Sequence, residues 1–116
     1  YAAKPKGQRF YVPLPTQVRF IRGDRGTYLS HAAYDETCYF GVGCDIRFKG
    51  YEPFFRDMED LILSEGGRPH WGKVFYRNPT HLYPDWPKYL GIRAKLDPSG
   101  KFMNEYMNRL VLGYPF

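Results

Sequence analysis

The sequence predicts an α+β fold: part of an antiparallel sheet covered by helices, followed by a helical tail. Three observations predict it. Residues 16–22 and 37–48 carry side chains that alternate with the period of a strand. Between residues 51 and 64 the apolar side chains instead recur at helical spacing. Beyond Asn78-Pro79 the pattern is helical again, over 86–96 and 104–110. At 116 residues the chain is the size of one small domain or a piece of one.

Taken in order, residues 1–15 hold Pro5, Gly7, Pro13 and Pro15 and are predicted to be loop, with a short extended piece at 10–12. In the strand at 16–22, Val18 and Phe20 form an apolar face, while Gln17 and Arg19 point to the other side with Ile21. Gly23 to Gly26 make a turn, and 29–36 a loop in which Ser30 and His31 have no assigned role. The second strand puts Cys38, Phe40, Val42, Cys44 and Ile46 on one face, and Gly41 and Gly43 on the other. Two glycines on one face mean either close approach of a ring or backbone, or a bulge.

In the helix at 51–64, Phe54, Phe55, Met58, Leu61 and Ile62 form the packing stripe, Glu52 favours the first turn, and Gly66-Gly67 supplies the stop. Arg68-Pro69-His70-Trp71-Gly72-Lys73 follows, two cations, an imidazole and an indole within six residues. Pro69 biases Arg68 toward extended backbone, so this run is predicted to continue through 74–76 as a third strand. Alternation then places His70 and Gly72 on one side, Trp71 and Lys73 on the other. Asp85 caps the next helix, Pro87 is tolerated in its first turn, and Trp86, Tyr89, Leu90, Arg93 and Leu96 line one side. Asp97-Pro98-Ser99-Gly100 ends it, and the last helix carries Tyr106, Met107 and Leu110.

The formal net charge is +5, but basic residues are scattered among acidic ones, which favours a solvated basic surface over a nucleic-acid footprint. Aromatic residues make up 19% of the chain, more ring surface than so small a domain buries alone, so part of it is expected to meet a partner. Cys38 and Cys44, placed in one strand, would be about 20 Å apart, beyond the reach of a disulfide of about 7 Å between Cα atoms. Two reduced cysteines suit a cytoplasmic type of environment. No apolar run approaches the roughly 18 residues that span a bilayer.

The RPHWGK run, Tyr83-Pro84-Asp85-Trp86, and the stretch Ile92-Arg93-Ala94-Lys95-Leu96-Asp97-Pro98-Ser99-Gly100-Lys101-Phe102-Met103-Asn104 together resemble the C-terminal end of the sugar-1,4-lactone oxidases and alditol oxidases. These are FAD enzymes of the vanillyl-alcohol oxidase superfamily, which close on an HWGK or HWAK motif and an LDP.G.F.N.Y run. The resemblance extends from about residue 16 to residue 112 and keeps the motifs in order. It implies that the FAD-binding domain lies N-terminal to this region, so that a chain starting at Tyr1 is expected to be a fragment. It also implies a division into the C-terminal part of a substrate (cap) domain, 1–78, and a helical tail, 79–116, that packs back on the missing FAD-binding domain.

In such enzymes an alcohol carbon gives hydride to the flavin, and a positioned cation stabilises the negative charge that develops. The resemblance assigns that role to Lys73, with His70 holding the loop or a cofactor-side hydrogen bond. Arg19 falls on the arginine of a Glu-x-Arg pair that meets the substrate, and it is expected to converge with Lys73 on one cavity. Gln17 stands where the family usually has glutamate; its amide can hydrogen-bond a sugar lactone or polyol but cannot neutralise Arg19. A different class of function stays open: a small basic, aromatic-rich module that stacks RNA bases on exposed rings. A third is a structural subunit whose partner carries the chemistry.

Overall fold

A computed structural model describes residues 4–8, 10–33 and 35–113; the loop assignments at 1–3, 9 and 34 lie outside the described residues. It contains two antiparallel strands, β1 (Gln17–Ile21) and β2 (Thr37–Gly41), and three α-helices, α1 (Tyr51–Ser64), α2 (Trp86–Leu96) and α3 (Glu105–Leu112). Short 3-10 turns occur at Lys6–Gln8 and Thr80–Leu82. The α+β class therefore holds, while the extent of the sheet does not.

The ladder pairs Gln17 with Gly41, Val18 with Phe40, Arg19 with Tyr39, Phe20 with Cys38 and Ile21 with Thr37. Residues directly opposite each other share a face, so Val18, Phe20, Cys38 and Phe40 form one apolar side. No helix among the described residues covers it: Phe20 is 86% exposed, Val18 52% and Phe40 47%. β2 also stops seven residues short of the predicted strand. The Asp45 carboxylate accepts the Arg47 backbone N–H and its guanidinium, and Phe48 N–H donates to the Asp45 carbonyl, which converts 45–48 into a turn. Both cysteines are free, as the sequence predicts, although only Cys38 lies in a strand.

α1 has the predicted bounds. It ends in a Schellman motif: Gly66 at φ 74° is the left-handed residue, Gly66 N–H donates to the Leu63 carbonyl, and Gly67 N–H donates to the Ile62 carbonyl at 2.8 Å. A Cβ on Gly67 would lie 2.3 Å from Ile62 Cγ2, so both glycines are required for different reasons. Phe54 is the buried residue of the helix and packs against Phe10, ring centroids 5.2 Å apart.

The third strand does not form. The Glu59 side chain of α1 accepts the backbone N–H groups of Tyr76 and Arg77 at 2.9 to 3.0 Å, Asp60 pairs with Arg77, and the Arg56 guanidinium lies 4.0 Å over the Tyr76 ring. The donors a ladder would need are thus held by a carboxylate, and extended chain is stitched to a helix. The core lies here, around Phe54, Phe75, Tyr83 and Leu110, with Ala32 and Ala33 of the 22–36 loop.

α2 starts after Asp85 with Pro87 in its first turn, as predicted; the Asp85 carboxylate pairs with Lys88 at 2.6 Å and makes no cap hydrogen bond. Leu96, assigned to the apolar side, is 79% exposed. The Asp97 carboxylate closes the following loop by accepting Lys101 and Phe102 N–H groups. Asn104 caps α3, its side chain accepting Met107 N–H, and Leu110 is fully buried at 0% exposure. Asn78 Nδ2 donates to the carbonyls of Arg109 and Leu110, which fastens α3 to the segment after Phe75.

Candidate active site

Two pairs of the residues singled out in the sequence stand together. On β1, Arg19 Nη2 donates to Gln17 Oε1 at 3.0 Å, and both side chains are exposed. The amide oxygen acts here as the neutral acceptor, where a carboxylate would form an ion pair. Tyr39 stands directly opposite Arg19 on the same face and is half-buried, a neighbour that needed the strand register to be found. Gly41, opposite Gln17, makes room: a Cβ there would lie 3.1 Å from the Tyr39 ring and 3.6 Å from Gln17 Cβ. The close-approach reading of this glycine is therefore correct, and the ring that approaches it belongs to the chain itself.

The second pair is in the RPHWGK run, which forms a tight turn and not a strand. Lys73 N–H donates to the His70 carbonyl at 3.0 Å, and Gly72 N–H donates to His70 Nδ1 at 2.9 Å. These bonds replace the predicted alternation, because four residues curl back on the imidazole. With Nδ1 accepting, the neutral ring carries its proton on Nε2. A Cβ at position 72 would lie 3.2 Å from His70 Cε1, a contact that an exposed ring relieves by moving a few tenths of an ångström.

Trp71 points inward. Its ring meets Tyr83 edge-on at 5.4 Å and Trp86 at 6.0 Å, and Trp86 in turn meets Tyr89 at 5.0 Å. Arg68 lies 5.1 Å over the Tyr83 ring and donates to the Ala33 carbonyl at 3.4 Å. The Trp71 carbonyl accepts the Tyr106 hydroxyl of α3 at 2.6 Å. Burial pushes the Tyr83 and Tyr106 phenols above their ordinary value, so both stay protonated at neutral pH, and Tyr106 is the donor to Trp71. Trp71 thus serves as the wedge that seats the turn, while His70 and Lys73 stay exposed.

Among the described residues no acidic side chain pairs with Lys73 or Arg19, and no hydrogen bond joins the β1 pair to the turn. A hollow of about 530 Å³, lined by Arg93, Asp97, Met103 and Asn108 among others, contains none of the four. His31 is exposed and joins neither group. No group of three or more His, Cys, Asp or Glu side chains among the described residues is placed to hold a metal ion.

The chain as a whole has counterparts among known proteins. Residues 2–110 match the family model for D-arabinono-1,4-lactone oxidase. The chain belongs to the D-arabinono-1,4-lactone oxidase family. It is 35% identical over 105 residues to an L-gulono-1,4-lactone dehydrogenase of Mycobacterium tuberculosis, covering 86% of this chain and 24% of that protein. Against an L-gulonolactone oxidase of Mus musculus the identity is 32% over 120 residues, 93% of this chain and 25% of the relative. An alditol oxidase of a Streptomyces species is 39% identical over 64 residues, 53% of this chain and 15% of that enzyme. No solved structure matches the chain. This lactone oxidase family chain therefore spans about a quarter of the length of the Mycobacterium tuberculosis and Mus musculus relatives.

Proposed function

We propose that this chain is the C-terminal part of an FAD-dependent oxidoreductase that oxidises a sugar-1,4-lactone or an alditol by hydride transfer to flavin. The observation that carries the reading is Lys73, a cation in the family's HWGK motif, exposed on a turn whose backbone is held at several points and with no acidic partner among the described residues. Such a cation fits a cofactor that gathers negative charge. FAD, when bound, supplies the hydride acceptor; this chain supplies charge and orientation. Lys73 holds positive charge where negative charge builds as the substrate is oxidised, in a site from which water is partly excluded. Arg19 orients substrate oxygens with its planar fork of donors, and Gln17 adds a hydrogen bond. His70 braces the turn through Nδ1 and leaves Nε2–H free to donate toward the cofactor or substrate.

Residues 1–78 would complete a substrate domain, and 79–116 would return to the FAD-binding portion of the same enzyme. The packing of Trp86 and Tyr106 on Trp71 and Phe75 supports carrying the tail and the turn as one unit. The RNA-binding reading needs rings and cations interleaved on one face. Phe20 and Phe40 instead share their face with Val18 and Cys38, and Arg19 is on the other side.

The test is to purify the whole protein and add candidate substrates anaerobically. A yellow preparation that bleaches with L-gulono-1,4-lactone, D-arabinono-1,4-lactone or an alditol is the expected result. A colourless protein that takes up no FAD, or a flavin that none of these reduces, would overturn the proposal.

A further inference from the structure

We infer that Tyr106 is a positioning residue for Lys73, acting through the peptide unit between Trp71 and Gly72. The inference rests on the reading of Lys73 given above and adds a residue to it from the far end of the chain. The Lys73 side chain makes no hydrogen bond or ion pair among the described residues, so its placement depends on its backbone. Two of the bonds that shape that backbone, Gly72 N–H to His70 Nδ1 and Lys73 N–H to the His70 carbonyl, lie inside the turn. They set its shape and say nothing about where it sits on the body of the protein.

The Tyr106 hydroxyl supplies that link. It donates to the Trp71 carbonyl at 2.6 Å, at the short end of the range for a hydroxyl donor. The Trp71 carbonyl and the Gly72 N–H belong to one planar peptide unit. One end of that plane is held by Tyr106 and the other by His70, so the peptide cannot swing without losing a bond at each end. Lys73 is the next residue.

Tyr106 is itself well anchored. Asn104 caps its helix, Leu110 one turn on is fully buried, and its ring meets Phe75 edge-on at 6.3 Å. Removing the hydroxyl alone leaves this packing in place. It frees the Trp71–Gly72 peptide to rotate and lets the Lys73 ammonium spread over several positions. Charge stabilisation in a transition state is sensitive to that spread, whereas substrate held by Arg19 and Gln17 is not.

The experiment is a double-mutant cycle on the whole flavin-loaded enzyme, with reduction by substrate followed in the stopped flow and rates expressed per bound flavin. Tyr106→Phe is expected to lower the limiting reduction rate by about three- to tenfold, the scale of one lost hydrogen bond, with the half-saturating substrate concentration unchanged. In a Lys73→Met background the same change is expected to cost nothing further. A Tyr106→Phe enzyme that reduces at the wild-type rate while Lys73→Met is slow would overturn the inference and leave the reading of Lys73 standing. An equal fold-loss in both backgrounds would also overturn it, because Tyr106 would then act by a route other than Lys73. Wild-type reduction by Lys73→Met would remove the underlying reading, and the positioning role with it.

Discussion

Lys73 and Arg19 are both exposed cations, yet their proposed roles differ in when they act. Lys73 meets charge that exists only as the substrate is oxidised, so replacing it with methionine should leave substrate binding nearly intact. The limiting rate of flavin reduction should fall about a hundred- to a thousandfold, the scale of one lost electrostatic donor. Arg19 acts on bound substrate and transition state alike, and Arg19→Met should weaken substrate binding as well as slow reduction. Stopped-flow reduction across a range of lactone concentrations separates the two; a Lys73→Met enzyme with the wild-type limiting rate would make Lys73 a solvated surface residue. At this scale the sequence was partly legible. Alternation alone put Gln17 and Arg19 on one face. Tyr39 could be found only from the register with β2; Tyr106 falls on the tyrosine of the LDP.G.F.N.Y run, but its link to the turn only appears in a contact spanning 35 residues.

The elements that sequence reasoning placed well are those whose determinants are local. α1 combines a stripe of apolar residues with its own stop signal, and Asn104 caps α3 with its own side chain. The elements it misplaced were decided by partners distant in sequence or by a competing turn. Residues 74–76 look extended, but Glu59 takes the backbone donors of Tyr76 and Arg77. Residues 42–48 alternate like a strand, but Asp45 folds 45–48 into a turn. The C-terminal stop of α1 gives a sharp test. Gly66 has open space around it and an unfavourable φ, so Gly66→Ala should cost about 1 to 2 kcal/mol from left-handed backbone alone. Gly67→Ala meets Ile62 side chain and carbonyl together and should cost more, about 1 to 3 kcal/mol from the clash plus loss of the Gly67–Ile62 bond as the backbone shifts. Urea midpoints of the whole enzyme should rank wild type, then Gly66→Ala, then Gly67→Ala; a Gly67→Ala protein as stable as wild type would contradict the close contact.

For the molecule as a whole, the α+β class was readable because both periodicities were present, while the covering of the sheet was not. Its apolar side, with Phe20 and Phe40 exposed, has no cover among the described residues. On the proposed reading the rest of the enzyme supplies it. The chain expressed alone should then aggregate or unfold without a cooperative transition, and its exposed Cys38 should react promptly with a maleimide. In the whole enzyme the same thiol should be protected; equal reactivity in both would leave the face uncovered. The tyrosines add a pH dependence. Burial is the first cause that raises Tyr76, Tyr83 and Tyr106 above their ordinary value, so the folded state holds these protons more tightly than the unfolded one. That contribution is complete below the unfolded value of about 10 and is lost as pH rises through the folded values. Denaturation midpoints of the whole enzyme, read from tryptophan fluorescence, should fall on the alkaline side of about pH 10. A flat profile well above that pH would place the phenols in water.

The contrast between Gly67 and Gly72 bears on how this sequence can drift. A side chain at 67 runs into Ile62 at 2.3 Å, whereas one at 72 meets an exposed imidazole edge at 3.2 Å. The bend at His70–Lys73 is written by acceptors on His70 and by the Tyr106 hydroxyl, and it does not depend on glycine's access to positive φ. Position 72 can therefore wander between glycine and alanine with near-neutral effect, while 67 is a trap: a side chain there also meets the Ile62 carbonyl oxygen at 2.8 Å, which no substitution at 62 removes. Two glycines five residues apart, identical as letters, sit on opposite slopes of the mutational landscape.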